Sequence, residues 1–303
     1  MPGTALILGP SGKIGTHAAR ALAARGWTIR TFDRKTDDMI QAAQGCDVIV
    51  NGLNPPNYHD WARLIPAITA QVIAAAKASG ATVIVPGNVY IFGDTPGEWS
   101  ETTRPAPCSR KGRIRLEMER TYRDSGVQTI ILRAGDFIDP DRNGDILSLM
   151  LLTKLKRGRI TAPGPTDRLH AYAFLPDWVE AAARLAEKRG DLARFEDIPF
   201  PGHAFTLDTL RSELEAILGR GLRVSRFPWP LLTLAAPVWE LARELREMRY
   251  LWQVPHSLSG ARLHALLPDF QPTPLRQALI AALPADLNPD QPVTAGRGGH
   301  LVV

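Results

Sequence analysis

Apolar runs and helical stripes alternate along the first half of the chain. Ala5-Leu6-Ile7-Leu8 reads as a buried strand over about 4–8, and it breaks into Gly9-Pro10-Ser11-Gly12-Lys13-Ile14-Gly15. That turn opens a helix pattern over about 13–25, closed by Gly26. Thr28–Phe32 alternates as a second strand, Asp37–Gln44 makes a short helix, and Asp47–Asn51 is another buried strand leading into the turn-rich Gly52-Leu53-Asn54-Pro55-Pro56. From His59 to Ser79 the apolar residues Trp61, Leu64, Ile65, Ile68, Val72, Ile73 and Ala76 follow a helical period. Pro66 predicts a kink there, and Gly80 the end. Ala81–Pro86 is the next strand, Ser109–Ser125 the next helix and Thr129–Arg133 the next strand. Strands alternating with helices predict an α/β fold, a doubly wound parallel sheet with helices on both faces.

After Gly135 the texture changes. A loop at 139–144 precedes an apolar, helical stretch at Ile146–Lys156, and Pro163-Gly164-Pro165 is a further break. Tyr172–Leu175 is a short strand, followed by a helix at Asp177–Lys188 whose first acid reads as a cap. Thr206–Leu218 is a helix capped by Thr206 or Asp208. Trp229–Met248 is apolar and interrupted by proline. This divides the chain into a sheet domain at 1–135, a mixed region at 136–286 that completes the sheet and builds a small C-terminal lobe, and a loose tail at 287–303 rich in Pro, Gly and polar residues.

Composition narrows the function classes. Of 303 residues, 45% are hydrophobic, ordinary for a chain with a sizeable core. The net charge of +5 is spread along the chain, so no nucleic-acid stripe stands out and a mildly basic ligand pocket is the simpler reading. Cys46 and Cys108 form neither a metal spacing nor a disulfide framework, which fits a reducing cytoplasm. The N-terminal apolar run is too short for a signal peptide, and no run spans a membrane. His59, His170, His203, His256 and His264 lack ligand spacing, so no metal is expected. The partner expected is a small-molecule substrate, with neither nucleic acid nor membrane; a homodimer stays open.

The glycine turn carries the most specific chemistry. Gly9 permits a tight turn off the strand, Gly12 clears space for a pyrophosphate, and Gly15 lets the helix pack on the sheet. The helix N-terminus then offers N–H groups and the positive end of its dipole. Gly9, Ser11, Gly12, Lys13, Ile14 and Gly15 are therefore the expected pyrophosphate site of NAD or NADP. Asp33, eighteen residues after Gly15, stands where a ribose 2′-hydroxyl is bound; Arg34 and Lys35 beside it suit a 2′-phosphate. Two bases against one acid tilt the choice toward NADP. Asn51, at a strand end, either touches the cofactor or caps a turn.

These stretches in order resemble the short-chain dehydrogenase/reductase superfamily, and within it the NAD-dependent epimerase/dehydratase branch of extended or atypical class. Gly9–Gly15 matches its GxxGxxG, and Asp47–Asn51 resembles its fourth strand. Asn88-Val89-Tyr90-Ile91-Phe92-Gly93 resembles its "VYG" segment, and Leu132-Arg133-Ala134-Gly135-Asp136-Phe137 its "LRPGNVYG" stretch. Ala173–Val179 resembles its "VHVDDVA". The resemblance covers about residues 4–190. It implies a Rossmann-type NAD(P)-binding domain and an oxidoreductase or epimerase/dehydratase-like enzyme on a small carbonyl or hydroxyl compound, sugar-derived substrates included.

Two departures stand out. Only fourteen residues separate Phe32 from Asp47, where relatives place an extra strand and helix. The family's strand-five Ser/Thr position holds Pro86, and Tyr-x-x-x-Lys is missing: one alignment puts Lys111 and Arg115 in those places, another Ser109 and Arg113. The proton relay then falls to Tyr90, with Lys111 or Arg115 lowering its pKa, and to Lys111 as second choice. The alternative is a non-catalytic NAD(P)-binding sensor or regulator that kept the cradle and lost the relay. A third reading, an assembly protein on a relict fold, predicts no cofactor binding.

Overall fold

The computed structural model describes residues 2–141 and 144–290; residues 291–303, most of the expected tail, lie outside the described residues. The central sheet has six parallel strands: β1 (Thr4–Leu8), β2 (Thr28–Phe32), β3 (Val48–Asn51), β4 (Thr82–Gly87), β5 (Thr129–Arg133) and β6 (Phe195–Pro199). Their spatial order is β6-β5-β4-β3-β1-β2. The order reverses beside β1, so the crevice at the carboxyl ends of β1 and β3 is the topological switch point where such sheets take ligands. The shortened segment after Phe32 has a direct consequence. It forms only a five-residue helix, α2 (Met39–Ala43), and β2 stays at the sheet's edge.

Alternation along β1 builds both faces. Ala5 and Ile7 join one core with Ile14, Ala18 and Leu22 of α1 (Lys13–Ala24). Leu6 and Leu8 join the other with Ile65 and Val72 of α3 (Trp61–Ser79) and Tyr122 of α4 (Arg110–Asp124). The first face is completed by α5 (Leu175–Glu187), which packs on α1 and buries Trp178 and Ala182. Pro66 lies inside α3, which continues through it as one element. Thr206 caps the helix Leu207–Leu218 by accepting from Thr209 N. Asp177 is no helix cap, contrary to the expectation: its carboxylate accepts from Thr273 N and Oγ1, both at 2.7 Å, and fastens the C-terminal segment to α5.

The chain beyond 136 is interwoven with the sheet. It supplies β6 and α5, and His256–Leu258 pairs with Gly97–Trp99. A further core gathers Ile138, Leu151, Ile160, Tyr172, Leu210 and Leu279 under a three-stranded sheet of Asp136–Ile138, His170–Phe174 and His203–Phe205. The apolar stretch at 229–248 resolves into two short helices, Trp229–Ala235 and Glu240–Glu247.

Candidate active site

The cradle forms where β1 meets α1. Gly9 has φ +71°, a left-handed conformation that a side chain would strain. A Cβ on Gly15 would drive into the Gly9 carbonyl, and one on Gly52 would lie 2.7 Å from Leu8 O. Three backbone segments thus close on one another, and Gly52 is a member of the cradle that the sequence reading treated only as turn. Gly12 differs: a Cβ there would meet only Gly9 O, at 3.4 Å. Its freedom from side chain serves open space rather than packing. Gly12 N donates to Gly9 O, and Thr16 N is the first to reach back into the helix, to Gly12 O. The N–H groups of Lys13, Ile14 and Gly15 therefore lack helical acceptors and form the positive end of the α1 dipole. The residues fit a pyrophosphate. Ser11 is exposed at the turn.

Lys13 faces elsewhere, its Nζ donating to Gly144 O at 2.6 Å. Burial lowers its pKa against the pull of Asp145, Asp139 and Asp136. His17, one turn on, lies 3.0 Å from Asp139 Oδ1 and 3.4 Å from Asp141 Oδ2, and Arg20 bonds Asp141 at 2.6 Å. Asp139, Asp141 and Gly144 are thus tied to one face of α1.

At the end of β2, Asp33 Oδ1 accepts from Lys35 N and Asp37 Oδ2 accepts from Asp33 N. The turn is internally bonded, and the Arg34 side chain stands exposed beside it. Asn51 is buried with both ends of its amide engaged: Nδ2 donates to Tyr122 Oη at 3.1 Å and Oδ1 accepts from Leu53 N at 3.2 Å. Its side chain fastens β3 to α4.

The second half of the site gathers at the carboxyl end of β4. Asn88 Oδ1 accepts from Tyr90 N, which starts the helical turn Val89–Phe92. Tyr90 Oη lies 3.3 Å from Tyr58 Oη. Burial raises the Tyr90 pKa well above its ordinary value, with Tyr58 and Asp136 adding to the effect; Tyr58 is raised too, mainly by burial. The expectation that Lys111 or Arg115 lowers the Tyr90 pKa is therefore corrected, because desolvation outweighs the pull of Arg115. Tyr58 comes from a loop in which Asn57, Tyr58 and Asp60 all have positive φ without a glycine, a costly backbone that holds the phenol over the site.

Lys111 and Arg115 flank the tyrosines without bonding Tyr90. Lys111 is fully buried, its Nζ 2.5 Å from both Glu244 Oε2 and Glu247 Oε2 and 5.1 Å from the Tyr58 ring centroid. Burial works against the Glu247 carboxylate, but the bonds from Lys111 prevail and hold its pKa below the usual range. Arg115 donates to Asn54 Oδ1 at 2.9 Å and stacks on Trp61 at 4.6 Å; its Nε is buried without a partner. Tyr58, Glu244 and Glu247 were missed by sequence reasoning. Glu244 and Glu247 each lie more than 130 positions from Lys111, and nothing local marks the pairing.

Asp136 opens the far wall and bonds His170 Nε2 at 2.9 Å. His170 stacks flat on Trp252 at 4.2 Å and meets His256 edge-on at 4.6 Å. Burial, with His170 nearby, pushes the His256 pKa down to about 3. An unfolded histidine titrates near ~6.5, so below that pH the unfolded chain binds the extra proton and stability falls until about pH 3. Moving from pH 7 to pH 5 is expected to cost about 2 kcal/mol through this residue. Urea unfolding of the wild type and His256→Phe at both pH values checks it: the variant should lose about that much less on acidification, and equal losses would contradict the assignment. A separate hollow of about 300 Å3, lined by Phe200, Leu263, Leu267 and Phe270 among others, shares no residue with the cradle.

No protein-family model matches the chain, and no curated protein matches it significantly. Solved structures do. UDP-glucuronic acid 4-epimerase from Bacillus cereus, in complex with UDP-glucuronic acid and NAD, is 16% identical with a TM-score of 0.73, over 92% of this chain and 97% of that one. MoeE5 in complex with UDP-glucose and NAD is 16% identical with a TM-score of 0.72, over the same shares. RMD from Pseudomonas aeruginosa, complexed with NADPH, is 18% identical with a TM-score of 0.68, over 93% and 98%. The protein has the fold of nucleoside-diphosphate-sugar epimerases.

Proposed function

We propose that the protein is an NAD(P)-dependent enzyme of epimerase/dehydratase type, acting on a small carbonyl or hydroxyl compound such as a nucleotide sugar. One observation carries the reading: Gly12 opens to free space at the N-terminus of α1, at the switch point of the sheet, while Gly9 and Gly15 are consumed by backbone packing. The N–H groups of residues 13–15 would hold the pyrophosphate, and the nicotinamide would supply hydride transfer. The relatives of like fold that carry NAD or NADPH support this choice of cofactor. NADP is the preferred form: Asp33 spends one carboxylate oxygen on its own turn, and exposed Arg34 and Lys35 suit a 2′-phosphate. Arg34→Ala should weaken NADPH binding about tenfold and leave NADH unchanged, read by fluorescence titration of the reduced cofactors. Equal affinity for the two in the wild type would remove the preference, and tighter binding of NADH would reverse it.

Tyr90 and Tyr58 would supply the proton. Phenols are protonated at neutral pH, and burial, by raising the pKa of both, disfavours the phenolate that would abstract a proton, so the pair is placed to donate to a substrate oxygen. That suits carbonyl reduction. Lys111 and Arg115 frame the pair, with Lys111 acting through its contact with the Tyr58 ring. Tyr90→Phe is expected to lower turnover by about 10²-fold or more with cofactor affinity kept. Assaying NADPH consumption against simple carbonyls and nucleotide-sugar ketones, together with chromatographic detection of nucleotide-sugar interconversion, tests both enzyme and donor, and turnover by the variant at the wild-type rate would discard Tyr90. A non-catalytic dinucleotide sensor is the second reading, favoured by Lys111 being committed to two carboxylates. Tight cofactor binding with no turnover across the panel would select it.

A further inference from the structure

Seven large apolar side chains are exposed among the described residues, and four of them fall within nine positions: Leu231 (64%), Leu234 (78%), Val238 (92%) and Trp239 (50%). The helix Trp229–Ala235 explains how. Trp229 and Leu232 turn inward onto Ala242, so Leu231 and Leu234, three apart, share the outer face. Val238 N and Trp239 N both bond Ala235 O, which brings the next two apolar residues round the same end of the helix. A contiguous apolar tip on an otherwise well-buried chain marks an interaction surface.

The charges around it decide the partner. Between Arg223 and Tyr250 the chain carries five arginines, at 223, 226, 243, 246 and 249, and all five are exposed. It carries three acids in the same span, and each is engaged within the fold: Glu244 with Lys111 and Arg110, Glu247 with Lys111, Glu240 with His59. Glu244 therefore points inward, Glu247 is half-buried and Glu240 is part-exposed against His59, so the outward charge of this segment is predominantly basic. A second copy docking by two-fold symmetry would bring this basic surface against itself. An anionic lipid surface meets both features, with Leu, Val and Trp entering the headgroup boundary and arginines beside acidic phosphates.

We propose that the tip Leu231–Trp239, with its flanking arginines, docks peripherally on an anionic phospholipid surface. This revises the sequence-based expectation of no membrane contact without calling for a spanning segment, and no described helix is long and apolar enough to cross a bilayer. It stands independently of the dinucleotide site.

Co-sedimentation with phosphatidylcholine vesicles, with and without phosphatidylglycerol, tests it. At least tenfold more protein should bind the anionic vesicles, and high salt should weaken the binding. Leu234→Asp with Val238→Asp should abolish it while thermal melting stays unchanged, because both side chains face solvent. In a second arm, Arg243→Gln with Arg246→Gln should weaken binding severalfold. No binding of the wild type to anionic vesicles, or binding that survives the aspartates, overturns the proposal. So does a wild-type dimer in analytical ultracentrifugation that the aspartates dissociate, which would assign the surface to a second copy.

Discussion

Arg133→Met is expected to destabilise the protein by roughly 3–5 kcal/mol. Arg133 is fully buried and makes paired bonds to Glu119, at 3.0 and 2.8 Å, and to Asp197, at 3.1 and 2.7 Å. It also donates to Asn88 O at 2.6 Å. One guanidinium therefore joins β5, α4, β6 and the turn that carries Tyr90. Burial opposes its charge, but Glu119 and Asp197 prevail and raise its pKa. Methionine fills similar volume and leaves the buried Glu119 and the half-buried Asp197 without their cation, so the loss is electrostatic rather than a cavity. Urea unfolding measures it. Adding Glu119→Leu to Arg133→Met should recover part of the loss, because one of the stranded charges is then removed. A single-variant cost under about 1 kcal/mol would show that the network relaxes by admitting water.

What the sequence made legible was local. The step from β1 to α1 was readable because its apolar run, glycines and helical period lie within twenty-five residues. The short stretch from Phe32 to Asp47 foretold a sheet that gains no strand beyond β2, since fourteen residues leave room for little more than α2. Tyr90 was singled out, yet its environment was not. Its partner Tyr58 sits in a left-handed loop built from Asn, Tyr and Asp rather than glycine, which gives a pattern search nothing to find. Lys111 looked available for catalysis because the carboxylates that hold it come from a helix more than 130 residues later. Asn51 had two readings, and burial of its amide against Tyr122 was decided by tertiary packing alone.

The second large effect concerns the cradle. Gly12→Val should reduce dinucleotide affinity at least 10²-fold while leaving stability within about 1 kcal/mol. The Gly12 backbone has φ −82° and ψ 162°, an extended conformation that valine adopts readily. The space its side chain would enter holds no protein atom nearer than the Gly9 carbonyl. Gly15→Val is the structural control: its branched side chain would strike Gly9 and Pro10, so it should unfold or severely destabilise the chain.

The decisive measurement is isothermal titration calorimetry of the wild type and Gly12→Val with NADPH and NADH, each protein first shown to be folded by its thermal melt. The account predicts saturable binding of at least one dinucleotide to the wild type and none to a Gly12→Val protein of unchanged melting temperature. A wild type that binds neither, or a folded variant that binds as tightly, would contradict it.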